Sequence, residues 1–430
     1  MAVSTPHTYR NQVMYSVFVR NHTLEGTFQA LRRDLKRIRA LGVDIIWLMP
    51  IHPIGETARK GTLGSPYAIR DYRAVNPEYG TLQDLEELVA DIHEHGMKCI
   101  IDVVYNHTSP DSVLAGEHPE WFYRKSDGSF GNHVGDWTDI IDLDYTNRDL
   151  WDYQIDTLKM WAKTVDGFRC DVAPLVPMEF WARAREAVEE IRPGCIWLSE
   201  SVEPGFITYL RSQNLVAHTD REVFEVFDIA YDYDIFGTFL AAVKGECSLS
   251  DYAAAVNRQE TVYQDHYVKL RYLENHDQDR AAHLIPDERQ LRNWTAFCYF
   301  QKGMTLLYAG QEVAQRHRPN LFDLDRICWN TGKDLSDLMT RLAELKRDPI
   351  LTDSRYTVTA LPDNALVAVH EGLGQKILGV FCMGTGENRI RVPVTDGVYE
   401  NRITGTVVAV KDGSVHASAT PIILTCKNLE

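Results

Sequence analysis

Short apolar runs alternate with amphipathic stretches from about residue 13 to about residue 347. Eight runs read as strands: VMYSVFV (13–19), VDIIWLMP (43–50), KCIIDVVY (98–105), GFRCDV (167–172), CIWLSE (195–200), VFEVFDI (223–229), KLRYLEN (269–275) and MTLLYAG (304–310). Their near-continuous apolar character marks strands covered on both faces. Between them the apolar residues recur at helical spacing. TFQALRRDLKRIRALG and TLQDLEELVADIHEHG both end in a glycine stop, and the second opens on a threonine cap. RDLWDYQIDTLKMWAK, PMEFWARAREAVEEI and LSDLMTRLAELKR carry the same period.

Eight strand-then-helix units predict an α/β fold, a (β/α)8 TIM barrel. A doubly wound open sheet is the competing architecture. The count of eight disfavours it, as does the lack of a glycine-rich phosphate turn after the first strand. Two connections are long enough to be functional: residues 50–80 after the second strand, and 106–145 after the third. Past residue 348 the period changes to short alternating strands, such as YTVTAL, ALVAVH, KILGVFCM, RIRVPV and TVVAV. The expected organisation is a barrel over 1–105 and 146–347, a short inserted domain over 106–145, and a C-terminal antiparallel β-sandwich over 348–430.

Composition narrows the partners. Of 430 residues, 44% are hydrophobic and 25% charged, which is ordinary for a globular chain. The net charge of −16 argues against nucleic acid and anionic membrane as partners. It is no obstacle to a neutral sugar. No apolar run reaches bilayer-spanning length. The opening MAVSTPHTYRNQ lacks the basic-then-apolar pattern of a secretory signal, so a cytoplasmic location is expected. Of the eight cysteines, Cys99, Cys170, Cys195, Cys298 and Cys382 fall in apolar patterns, and no CxxC spacing occurs. Reduced, buried thiols are expected.

The chemistry lies at the strand ends. Asp171 closes GFRCDVAP, Glu200 closes CIWLSES, and Asp277 follows RYLENH. The run IIDVVYNHT ends in Asn106 and His107. A barrel gathers the C-terminal ends of its strands at one mouth. Arg169 and Asp171 lie two apart and share a face, so the arginine keeps this acid ionised, as a nucleophile requires. Glu200 follows Ile196, Trp197 and Leu198. Partial desolvation there raises its pKa and suits it to hold a proton as general acid. Two carboxylates with separate roles are the machinery of glycoside hydrolysis.

DVVYNHT, GFRCDVAP, the glutamate of WLSES, and LENHD together resemble, in order, the four signature regions of the α-amylase family, glycoside hydrolase family 13. The resemblance spans nearly the whole chain, including the barrel, the inserted domain and the C-terminal sandwich. It implies that Asp171 is the catalytic nucleophile and Glu200 the general acid, then base. Asp277 becomes the third acid that grips sugar hydroxyls. His107, His276 and Arg169 take the places of residues that hold the sugar at the cleavage site, and Tyr67 in GSPYAIRDY resembles the aromatic platform beneath it. Trp121, Phe122, Tyr123, Phe130 and Trp137 in the insertion either stack on sugars or form that domain's own core.

The resemblance also shows departures. Endo-acting relatives commonly carry Lys-His three residues beyond the nucleophile, where this chain has Pro174 and Leu175. Asn106 and Asp142 align with positions that often bind a structural calcium, and hard oxygen ligands suit that ion. An equally ordinary reading leaves Asn106 bonded within its own loop. No cofactor is required for the chemistry. The implied activity is retaining hydrolysis of α-1,4 bonds in maltooligosaccharides or starch-derived glucans through a covalent glycosyl-aspartate. Two alternatives stand beside it: an α-glucanotransferase or glucoside isomerase of the same family, and a non-catalytic carbohydrate-binding protein on the same fold. Oligomeric state is not legible in the chain.

Overall fold

Eight parallel strands close into one barrel in a computed structural model that describes residues 5–384, 388–417 and 420–427. They are β1 (Val13–Val17), β2 (Ile45–Leu48), β3 (Lys98–Val103), β4 (Gly167–Cys170), β5 (Ile196–Ser199), β6 (Ile229–Tyr231), β7 (Lys269–Arg271) and β8 (Met304–Tyr308). Each pairs with its sequence neighbours, and β8 returns to β1. All but Lys98 are buried along their length, as strands filled inside and covered outside must be.

The covering helices are α1 (Phe28–Arg32), α2 (Leu35–Ala40), α3 (Leu82–Glu94), α4 (Arg148–Trp161), α5 (Met178–Glu189), α6 (Pro204–Ser212), α7 (Tyr233–Lys244), α8 (Leu249–Val262), α9 (Glu288–Phe300) and α10 (Ser336–Lys346). Thr81 and Asp84 cap α3 reciprocally, which fixes where the helix leaves its long loop. Leu85, Leu88, Val89 and Ile92 form its buried stripe.

The run VFEVFDI, expected as the sixth strand, is extended only at its last residue. Asp220–Val223 is a helical turn, begun by a capping box between Thr219 and Glu222. Val223, Phe224 and Phe227 are buried by that turn rather than by strand pairing. The run is apolar because it is core, and period alone cannot tell a short buried turn from a short buried strand.

The insertion holds a two-residue ribbon, His107–Thr108 against Ile141–Asp142, and a short helix, Val113–Glu117. Trp121 and Phe122 are buried, and Phe130 packs edge-on against Phe122. Trp121 and Phe122 join the barrel's core, Trp121 meeting Tyr153 of α4 at 5.9 Å between ring centres.

The C-terminal part is antiparallel. A four-stranded sheet runs β9 (Arg355–Leu361), β10 (Ala365–Gly372), β11 (Gln375–Cys382) and β16 (Ile422–Lys427). Two ribbons accompany it: β12 (Asn388–Arg391) with β15 (Ser414–Ala417), and β13 (Gly397–Glu400) with β14 (Val407–Val410). Alternation along the sheet serves both faces. Leu366, Ala368, Ile377 and Phe381 join the barrel's core, whereas Ala365, Val367, Leu378 and Val380 pack with Ile390, Val410 and Val415 of the ribbons. Phe381 sits 5.3 Å from Phe297 on α9.

Among the described residues no helix is long and apolar enough to cross a membrane. The five cysteines expected inside are buried, and none of them forms a disulfide.

Candidate active site

Parallel pairing carries the strand ends to one mouth. Asp171 N–H donates to Val103 O at 2.9 Å, and Glu200 N–H to Cys170 O at 3.0 Å. Each acid therefore stands one step beyond its strand, still held by the ladder. A cavity of about 320 Å³ opens over them. Asp171, Glu200, Asp277, Tyr67, His107 and His276 all line it, so the structure brings these six predicted residues together.

Arg169 lies beneath, fully buried, and organises the acids. Its Nη1 donates to Asp102 Oδ1 at 2.8 Å and to Asp171 Oδ1 at 2.7 Å. Its Nη2 is 2.9 Å from Glu200 Oε2, an ion pair whose N–H does not point squarely along the contact. Trp47, Tyr67 and Tyr231 surround the guanidinium at 5.1–5.6 Å from their ring centres. Three carboxylates thus converge on one cation.

The charge imbalance is visible in the acids. Burial pushes Glu200 well above the usual carboxylate range, helped by the charges of Asp171 and Asp277 and opposed by Arg169. Burial also raises Asp102 to about 6 against the pull of Arg169. For Asp277, burial pushes upward but His276, Arg169 and Arg318 together outweigh it and hold the acid at about 2. The site therefore separates an acid disposed to keep a proton from one that stays ionised.

Backbone strain places a further donor. Val172, directly after Asp171, has φ +35°, left-handed for a β-branched residue. Its N–H donates to Glu200 Oε2 at 2.8 Å. The tight turn of Ala173–Leu175 follows at once.

Tyr67 and His276 form one unit. Their rings stack at 5.3 Å and 12°. The Tyr67 hydroxyl donates to Asp102 Oδ2 at 3.2 Å and accepts from His276 Nε2 at 2.7 Å. His276 Nε2 is also 3.0 Å from Asp277 Oδ2. This pattern is satisfied with the imidazole proton on Nε2. Trp137 of the insertion lies 5.7 Å from the His107 ring and lines the same cavity, so this aromatic faces the mouth rather than the core.

Asn106 and Asp142 stand elsewhere. They line a neighbouring cavity of about 280 Å³ with Leu175, Leu215 and Val216. Asn106 bonds to His107 at 3.2 Å. Asp142 Oδ2 accepts from the backbone N–H of His133 at 2.7 Å and lies 2.7 Å from its Nδ1. Asp142 Oδ1 is the carboxylate oxygen left without a protein partner. Among the described residues no group of three or more His, Cys, Asp or Glu could hold a metal ion. One carboxylate oxygen and one amide fall short of the about six to eight oxygens calcium takes. These side chains do not form a calcium cage. Leu175 packs with Val202, Ile207 and Leu210 instead.

Sequence reasoning missed Asp102. Its signal was present: a lone acid inside the apolar run IIDVV. A buried carboxylate in a strand implies a cationic partner. Lys60, Asp139, Tyr233 and Phe322 also line the cavity and have no local signal, because they come from four separate loops and helices.

Three acids on the C-terminal face of a (β/α)8 barrel, two of them sharing an arginine, define a glycosidase-type site. Residues 8–120 and 112–356 match the family described as alpha amylase, catalytic domain, and residues 357–424 match the bacterial alpha amylase C-terminal domain. The chain belongs to the α-amylase family, and it is an enzyme of the α-amylase type. Its fold is similar to the crystal structure of an alpha-amylase from Lactobacillus plantarum, at 43% identity and TM-score 0.96, covering 98% of this chain and 100% of that one. A noncanonic maltogenic alpha-amylase, AmyB from Thermotoga neapolitana, is 31% identical with TM-score 0.87, covering 98% and 99%. The alpha-amylase MalA of Haloarcula japonica is 27% identical over 80% of this chain and 50% of its own length. An alpha-1,4-glucan:maltose-1-phosphate maltosyltransferase from Myxococcus xanthus is 34% identical over 45% of this chain and 32% of its own. The chain thus spans half or less of these two curated relatives.

Proposed function

We propose that the enzyme hydrolyses α-1,4-glucosidic bonds of maltooligosaccharides or starch-derived glucans, with retention, by double displacement. Asp171 attacks the anomeric carbon while Glu200 protonates the departing oxygen, giving a glycosyl ester on Asp171. Glu200, now a carboxylate, takes a proton from water, which attacks the same carbon and frees Asp171. Asp277 and His276 hold the sugar's hydroxyls, His107 flanks the ring, and Tyr67 supports it. These steps use the chain's own side chains and water.

One observation carries this reading. Asp171 and Glu200 sit on the two terminal nitrogens of one guanidinium. Carboxylates bridged by so narrow a group fit the close pair of retaining enzymes, about 5–5.5 Å apart, better than the about 6.5–9.5 Å that inverting enzymes need to admit a water. The relatives named above act, by name, as α-amylases or on an α-1,4-glucan.

A second observation favours a neutral leaving group over a glycosyl phosphate. Among the described residues lining the cavity, Lys60 is the one lysine or arginine, and Asp139 already pairs with it at 3.0 Å. A phosphate entering the cavity would meet its carboxylates, with the lining lysine already engaged.

The deciding experiment incubates the enzyme with a ladder of maltooligosaccharides and follows products by chromatography. A slow fluorinated glucosyl donor then traps the intermediate for peptide mass spectrometry. The expected result is shorter saccharides and a sugar on the Asp171 peptide. Longer or relinked saccharides as main products would replace hydrolysis with transfer, and an adduct on another residue would reassign the nucleophile.

A further inference from the structure

One side of the barrel's mouth carries Lys60, Asp139 and Phe322, which the proposed mechanism does not use. Glu200 follows β5, and in an eight-strand ring β5 faces β1. Lys60 lies in the loop after β2 and Phe322 in the loop after β8, so both stand across the mouth from the acid. A general acid protonates the departing oxygen, so the leaving part of the glucan exits on Glu200's side. The glucosyl units on the non-reducing side of the broken bond extend the other way, toward Lys60 and Phe322.

That side is closed by built contacts. Lys60 Nζ lies 3.0 Å from Asp139 Oδ1, and Asp139 is only 5% exposed. The pair joins the β2 loop to the insertion. The ammonium also stands 6.0 Å from the centre of the Phe322 ring. Phe322 is stitched to the same loop: Leu63 N–H donates to Phe322 O at 2.9 Å, and Thr62 N–H and Oγ1 reach Asp323 Oδ1 at 2.8 and 2.7 Å. Gly61, at φ +63°, lets the backbones approach, since a Cβ there would lie 2.6 Å from Phe322 O. On the other flank, Asn132 Nδ2 donates to Trp137 O at 2.8 Å and holds the turn that carries Asp139. The cavity of about 320 Å³ sits near the low end of the roughly 300–1,000 Å³ of small-molecule sites.

We infer that Lys60, Asp139 and Phe322 form an end wall on the non-reducing side, so that the enzyme measures its product from the free chain end. This rests on the hydrolase reading above and adds to it where the chain is cut. The wall stops the donor after a short, fixed number of glucosyl units. It turns away any chain whose non-reducing terminus carries an added group or continues past the pocket.

The test compares a p-nitrophenyl maltooligosaccharide having a free non-reducing end with the same compound blocked by an acetal across the 4- and 6-hydroxyls of its terminal glucose. The wild-type enzyme is expected to cut the blocked compound at least about tenfold more slowly, the discrimination a closed pocket gives against one added group. It should release one short saccharide from the free compound at early times. Lys60→Ala and Phe322→Ala are each expected to raise the blocked-to-free ratio and broaden the products, and the ratio is read independently of the absolute rate. Equal cleavage of both compounds by the wild type, or a ratio unmoved in both variants, overturns the end wall. The wild-type comparison stands even where a variant fails to fold. Cleavage of both compounds alike leaves the hydrolase reading intact and removes only the wall, whereas no cleavage of the free compound removes both.

Discussion

Asp102 and Arg169 stand opposite each other on β3 and β4 and join through a 2.8 Å salt bridge with both side chains shut off from water. The same guanidinium serves Asp171 and Glu200. One cation among three carboxylates cannot balance them, so a proton is retained in the cluster. Glu200 and Asp102 are the acids pushed upward.

Asp102→Asn is expected to keep the hydrogen bond's shape and remove one negative charge. Arg169 is then less compensated, and the carboxylate form of Glu200 is favoured. The general acid loses its proton at lower pH, so the alkaline limb of kcat/KM moves to lower pH. The rate at the optimum falls on the order of 10²-fold at most, since Arg169 still positions Asp171. A pH–rate profile checks this, and an unmoved alkaline limb would count against charge sharing through Arg169.

Glu200→Gln is expected to fold and to lose about 10²–10⁴-fold on a natural glucan, the usual worth of general acid catalysis. On an aryl glycoside whose leaving group needs no proton, glycosylation should be largely spared. Equal losses on the two substrates would place Glu200 in binding rather than acid catalysis. The alkaline limb seen in the wild type should be absent from the variant.

Chelation is expected to leave the melting temperature unchanged, because the side chains around Asn106 and Asp142 do not make a calcium cage. His133→Ala should destabilise the insertion by about 1–3 kcal/mol, as it strips a partner from the buried Asp142 carboxylate. Thermal melts with and without EDTA, for both proteins, test the pair of statements. A fall in wild-type melting temperature on EDTA, restored by calcium, would assign the site to the ion.

His370 ties the C-terminal sheet to the barrel. Its Nε2–H donates to Phe300 O at 2.8 Å and its Nδ1 accepts from the Ser354 hydroxyl at 2.7 Å. Burial lowers its pKa from 6.5 to about 3. The unfolded chain binds this proton first, so the stabilisation is fully present above about pH 6.5 and drains as pH falls toward about 3. His370→Gln keeps an amide donor and acceptor but cannot titrate. Its deficit in melting temperature at pH 7 should shrink on going to pH 4, and a deficit constant across that range would deny the histidine this role.

Much of the candidate site was legible in the chain because its acids interrupt or close apolar runs. Asp171 and Glu200 each stand directly after a buried strand, Asp277 lies in the loop that follows β7, and a barrel must bring such ends together. The sandwich was legible through its two-residue alternation, which the sheet spends on two different neighbours. VFEVFDI was misread because a short buried turn and a short buried strand have the same composition. Asp102 went unread for a related reason: it lies inside a run rather than at its end, and its meaning depends on the residue across from it.

Local pattern and period by themselves determined the barrel, the order of its units and the residues that carry charge into its mouth. These follow from backbone geometry, which repeats every few residues and leaves its mark along the chain. The tertiary structure alone decided which acid is pushed toward its protonated form, which of the insertion's aromatics faces the cavity, and that Lys60 meets Asp139 at its rim. Those outcomes depend on distance, register and exclusion of water between residues far apart in sequence, and such quantities exist only once the strands have paired.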